Sequence, residues 1–368
     1  MSDSEPPFPW SLGVFDAHCH PTDTMTSISS IAHMQASALT IMATRGEDQA
    51  LVDSVASTLS NTNKIIPCFG WHPWFAHQIS TTSTNPDDNA SKISHYRTVL
   101  TGSTPTDTAF FNTLPTPKPL STLLAETRER LLAHPAALVG EIGLDKAFRL
   151  PLPWTPDQTE DRDVGLTPGS REGRNLSVYK VSMEHQKFLL KAQLQLAGEL
   201  GRAVSVHSVQ AHGAVFDVLQ ELWAGYERRR ESRRGRRQRE SEQVDESTTE
   251  EAEVIKSRPY PPRICMHSYS GSTEPLRQFL HPSVPSDVYF SFSFVINFTG
   301  PSVEKVVAVL KALPDDRILV ESDLHCAGPE MDGLLERAVR IVCGHRGWAL
   351  EEGVGILADN WRRFVFGR

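Results

Sequence analysis

Eight short apolar runs of strand character recur along the chain, and most are followed by a segment of helical periodicity. They lie at residues 13–16 (GVFD), 38–43 (ALTIMA), 64–69 (KIIPCF), 137–142 (ALVGEI), 203–206 (AVSV), 263–266 (RICM), 288–292 (VYFSF) and 317–320 (RILV). Strands alternating with helices imply βα units and a parallel sheet. Runs that are apolar almost throughout suit strands buried on both faces. The expectation is an α/β chain: a (β/α)8 TIM-type barrel over residues 1–368, one domain with long loop insertions.

The helical pattern is clearest at 178–200, where Phe188, Leu189, Ala192, Leu196 and Leu200 share a face and Gly201 offers a stop. Segments 48–59, 120–132, 303–313 and 334–342 read alike, and 357–366 supplies a closing helix. Two stretches break the rhythm. Residues 81–119 are rich in Ser, Thr and Pro, and 227–256 run from arginine-rich to acidic. Both read as mobile insertions in surface loops. Residues 146–174 form a further Pro- and Gly-containing loop.

Composition narrows the function. A net charge of −8 provides no global positive field for nucleic acid, although bound cations would create one locally. The arginine run 228–239 is followed at once by acidic residues and reads as a solvated helical extension rather than a basic arm. Five cysteines, widely spaced and without a C-x-x-C pair, suggest a reducing intracellular compartment, cytoplasmic or nuclear. No secretory leader and no membrane span are expected from the sequence.

Chemistry concentrates at the strand ends. The first strand leads into Asp16-Ala17-His18-Cys19-His20, and residues two apart on a strand share a side. His18 and His20 can therefore face one cation, with Cys19 turned away. Glu141 stands at the end of the fourth run, His207 after the fifth, His267 after the sixth and Asp323 after the eighth. Strand ends of a barrel form the face where active sites are built. Ionisable side chains there are costly to bury unless paired or bound to metal. Imidazoles mixed with carboxylates suit two divalent metal ions: Zn, Mn or Fe, with Mg possible. Glu141 is the best bridging candidate, holding the pair about 3.5–4 Å apart.

The ordered motifs DAHCHP, GWHPW, GEIGLD, VSVHS, ICMHSYSGS and ESD resemble those of the TatD-like metal-dependent deoxyribonucleases, over nearly the whole chain. Glu321-Ser322-Asp323 is similar to the fungal branch of Cut9-interacting (Scn1-like) proteins. The resemblance implies hydrolysis of phosphodiester bonds, with DNA as substrate. It implies one metal held by His18, His20, Glu141 and Asp323, and a second held by Glu141, His207 and His267. Glu141 and Asp323 would be catalytic, Asp323 assisting proton movement. His72 would contact phosphate or a metal-bound water; it reads equally as a strand-end histidine tied to a backbone carbonyl. The sequence departs from the family at Val209, where an arginine is usual, and at Ser322-Asp323-Leu324-His325, where many members read T-D-x-P. Two other readings follow. One is an interaction module contacting an anaphase-promoting complex subunit. The other is an amidohydrolase-like enzyme acting on a C–N or lactone bond, which the absence of a fourth-strand lysine disfavours.

Overall fold

The computed structural model describes residues 6–81, 88–102, 107–155, 159, 162–228 and 257–368. Eight parallel strands follow one another round the sheet in chain order. They are β1 (Phe15–Cys19), β2 (Ala38–Met42), β3 (Ile65–Phe69), β4 (Leu138–Asp145), β5 (Val204–Val209), β6 (Arg263–Met266), β7 (Asp287–Ser293) and β8 (Ile318–Glu321). Beyond β8 the sheet curls back on β1. His20 N donates to Leu324 O at 2.8 Å and Asp323 N to His18 O at 3.1 Å. Asp16 Oδ1 adds a bond from Ser322 N at 3.0 Å. The architecture is the expected TIM-type barrel.

Among the described residues, the helices around the strands include α1 (Gly46–Thr58), α2 (Leu120–Ala133), α3 (Met183–Glu199), α4 (His212–Trp223), α5 (Thr273–Phe279), α6 (Val303–Ala312), α7 (Pro329–Arg346) and α8 (Leu350–Phe366). The sequence reading implied a helix after the fifth strand without giving its bounds, here α4, and passed over α5. The main core packs outward strand residues such as Ile41, Val139, Val206 and Phe290 against Leu190, Leu219 and Leu335 of the helices. Each fully buried Leu or Val of this kind contributes roughly 1.5–3 kcal/mol.

A second cluster gathers Ala17, Ile66, Cys68, Leu138, Cys265, Tyr289 and Leu319 inside the barrel, where Trp361 and Phe364 of α8 cap it. Trp361 Nε1 donates to Thr40 Oγ1 at 3.1 Å, and Asn360 Nδ2 donates to Ile318 O at 2.8 Å.

The 81–119 stretch was expected to be a surface loop. Among its described residues are helices Asn89–Val99 and Thr108–Thr113. Tyr96, Leu100 and Phe111 pack with Trp71, Leu150 and Tyr179 in a satellite core. Enough apolar side chains are interleaved with the polar ones to bury a layer. Residues 229–256 of the 227–256 stretch lie outside the described residues. Arg228 is described, and its guanidinium pairs with Asp287 at 3.0 Å. No helix among the described residues is long and apolar enough to cross a membrane.

Candidate metal centre at the barrel mouth

Two slips in strand register aim the key side chains inward. In β4, Val139 and Ile142 both belong to the outer core, so simple alternation would send Glu141 outward with Val139. The pairing of β4 with β5 is irregular between Val139 and Ile142, and Glu141 turns into the barrel. A bulge of this kind re-aims a side chain. The same occurs in β1: Ala17 lies in the inner cluster and Cys19 in the outer one, with a slip between Asp16 and Cys19. Glu141 is therefore not at a strand end as the sequence suggested; β4 runs on to Asp145.

The six side chains singled out from the sequence converge. Nε2 of His18 and His20 stand 3.1 Å apart. Each approaches Glu141 Oε2, at 3.5 and 3.4 Å, and Asp323 Oδ1, at 3.9 and 3.6 Å. Donors about 2.1 Å from a tetrahedral centre would be separated by about 3.4 Å, and the spacings here are of that order, so groups on this side could hold a metal ion. On the other side, Glu141 Oε1 faces His267 Nε2 at 2.7 Å and His207 Nδ1 at 2.8 Å. Those two nitrogens are 3.2 Å apart. Two imidazole nitrogens that close need a proton or a cation between them. One carboxylate thus faces a separate histidine set with each oxygen.

His72 joins the second set, with Nε2 3.2 Å from Glu141 Oε1. It is held by a backbone N–H rather than a carbonyl: Nδ1 accepts from Trp74 N at 3.2 Å. A neutral imidazole accepting at Nδ1 carries its proton on Nε2. His72 therefore presents a donor to the centre.

Electrostatics follow from one buried anion among imidazoles. Burial alone would push the Glu141 carboxyl up, but His72, His267 and His18 hold it well below the ordinary range. Burial opposes charge on His20, yet its bond to Asp323 and the Glu141 charge lift it to about 9. His267 is likewise raised against burial by Glu141 and Glu321. His18 is lowered by burial and by the charge of His267. Asp323 is held at about 2 against burial by its bond to His20 and by His267 and His18. Its backbone is left-handed, φ 55°, a costly conformation for a non-glycine residue that here carries the carboxylate.

Three supporting residues were missed in the sequence. Ser205 Oγ lies 2.8 Å from His18 Nδ1. Asp145 Oδ2 lies 3.2 Å from His207 Nε2. Glu321 Oε1 lies 3.6 Å from His267 Nδ1 and accepts from Ser268 N at 2.8 Å. Such partners orient imidazoles and fix their tautomers. Strand periodicity offered a signal for two of them: Ser205 precedes His207 by two positions, and Glu321 precedes Asp323 by two. Glutamines of α3 brace the frame. Gln186 brackets the backbone of Asp145, and Gln193 that of Trp71.

Two tryptophans and one further histidine lie around the site. Trp71 is 3% exposed and belongs to the satellite core, whereas Trp74 is 37% exposed. His325 is exposed, but its Nδ1 lies 2.8 Å from Asp23 Oδ2 and its ring stacks 5.2 Å from that of His20.

The sequence model for TatD related DNase matches residues 15–366. The chain belongs to that family. TatD enzymes are metal-dependent hydrolases, and the mouth of this barrel carries groups that could bind a metal. The chain is 36% identical to the Cut9-interacting protein scn1 of Schizosaccharomyces pombe, over 96% of this chain and 98% of that one. It is 27% identical to an uncharacterized deoxyribonuclease of Saccharomyces cerevisiae, over 86% and 84%. Among solved structures, the TatD homolog YJJV of Escherichia coli superposes with a TM-score of 0.54 at 19% identity, covering 96% of this chain and 98% of that one. That last likeness concerns the fold.

Proposed function

We propose that this TatD-family chain is a two-metal phosphodiester hydrolase acting on DNA. The reading rests on one observation: each oxygen of Glu141 faces its own set of imidazoles. His18, His20, Asp323 and Glu141 would hold one divalent ion, and Glu141, His207 and His267 the other. Imidazoles outnumber carboxylates, which favours Zn or Mn over Mg. Such ions neutralise phosphate charge and acidify water when bound.

The chain's own residues do the rest. Asp323, held ionised by its bond to His20, helps move a proton from the attacking water. His72 turns its Nε2–H to the centre beside Glu141 Oε1, from where it would contact phosphate or a metal-bound water; its direction is set by Trp74 N at 3.2 Å. An intracellular location, cytoplasmic or nuclear, accords with five free cysteines.

The test is cleavage of end-labelled single-stranded DNA with added Mg, Mn or Zn, beside Glu141→Gln. Metal-dependent cleavage that disappears in the variant supports the reading. A folded protein that fails to cleave DNA with any of these metals sinks it. A C–N or lactone substrate would then be the alternative, tested on a panel of amides and lactones.

A second reading has its own support. The near full-length match to scn1 suggests a partner of the Cut9 kind. Co-precipitation of the purified pair tests it, and hydrolysis and binding are compatible.

A further inference from the structure

We infer that Trp74 and Phe148 form a base-stacking platform beside the metal centre, for the nucleotide next to the scissile phosphate. This rests on the phosphodiesterase reading and adds to it what selects the substrate.

Trp74 is too exposed for a core residue and too firmly held for a stray surface one. Its indole Nε1 donates to Asp145 Oδ2 at 2.7 Å. Phe148 stacks on it at 4.6 Å with the planes 9° apart. The indole stands edge-on to His72 at 4.8 Å and to His207 at 6.1 Å. Asp145, which pins the ring, also faces His207. The stack is therefore rigidly indexed to the second histidine set and leaves 37% of Trp74 open to solvent.

Bases stack on such rings whatever their sequence, because every base has a π-face. The local charge suits a strand. Lys146 and Arg149 flank Phe148, and both are exposed. Lys180 Nζ donates to Lys146 O at 2.9 Å and adds a third cation. In a chain of net charge −8 this is a local concentration of positive charge next to an aromatic face. Cations to track phosphates beside rings to stack bases are the working parts of single-strand binding. Duplex DNA keeps its bases paired and stacked, so the platform selects unpaired nucleotides.

The experiment compares the wild type with Trp74→Ala and Trp74→Phe on two substrates. One is a single-stranded oligonucleotide; the other has abasic sites in place of its bases. The same oligonucleotides are titrated by fluorescence anisotropy in EDTA, which reports binding without turnover. Trp74→Ala should raise KM and the Kd of the intact oligonucleotide roughly tenfold and change those of the abasic one little. Trp74→Phe should restore most of the loss. Unchanged Kd in Trp74→Ala, or equal losses on both oligonucleotides, overturns the platform. If the wild type cleaves neither oligonucleotide, the hydrolase reading fails, and anisotropy alone still decides the platform.

Discussion

The outward nitrogen of His207 lies 3.2 Å from Asp145 Oδ2, while its inward nitrogen lies 2.8 Å from Glu141. A carboxylate accepts only, so Asp145 places the imidazole proton outward and frees Nδ1 for the centre. In Asp145→Asn an amide N–H₂ would face both His207 Nε2 and Trp74 Nε1, and it cannot accept from either. We expect metal affinity at the second set to fall about 10- to 100-fold. Calorimetric titration of the metal-free protein measures it. Wild-type affinity would mean that Asp145 does not orient His207.

Glu141 presents one carboxylate oxygen to each histidine set. Glu141→Gln removes the shared negative charge. We expect bound metal, measured by elemental analysis, to drop by at least one ion per chain, and turnover to fall by at least about a thousandfold. Far-ultraviolet circular dichroism should stay native, because the barrel packs without this side chain.

Acid should weaken the fold through the satellite core. Burial, and then the neighbouring charge of His95, hold the His185 imidazole at about 4, although its Nε2 bond to Ala76 O pulls upward. Burial and His95 hold His77 at about 3. Both folded-state values lie below the ordinary 6.5. The unfolded chain thus binds more protons than the folded one across that interval. Stability is fully present above pH 6.5 and is lost as pH falls towards about 4, by roughly 3 kcal/mol for His185. Urea midpoints across this range should decline, and less steeply in His185→Gln. A midpoint independent of pH would refute the assignment.

Gly143 has φ +154°, and a Cβ there would collide with the carbonyl of His207. Gly143→Ala must push β4 from β5 at the level of the centre. We expect a loss of more than about 2 kcal/mol in denaturant unfolding, with reduced metal content in whatever folds. Wild-type stability would show that β5 yields without cost.

Strand spacing made much of this legible. The runs near 38, 64 and 263 fall within one residue of β2, β3 and β6, because an apolar run buried on both faces shows its limits in composition. Helices α1, α2 and α6 followed from apolar periodicity. α5 escaped because seven residues are too few to display a period. The order in 81–119 escaped because Tyr96 and Phe111 are isolated among polar neighbours and meet their partners only across the fold.

The sequence by itself determined which residue types arrive at the mouth: His18, His20, Glu141, His207, His267 and Asp323 follow or end apolar runs, and strand geometry sends such positions to one face. Only the tertiary structure decided where those side chains aim. A register slip in β4 turns Glu141 inward against the alternation that its own sequence implies. A strand's pairing register depends on neighbours far away in the chain, so no local pattern encodes it. For the same reason Ser205, Asp145 and Glu321 became visible as supports only once five strands brought them behind the imidazoles.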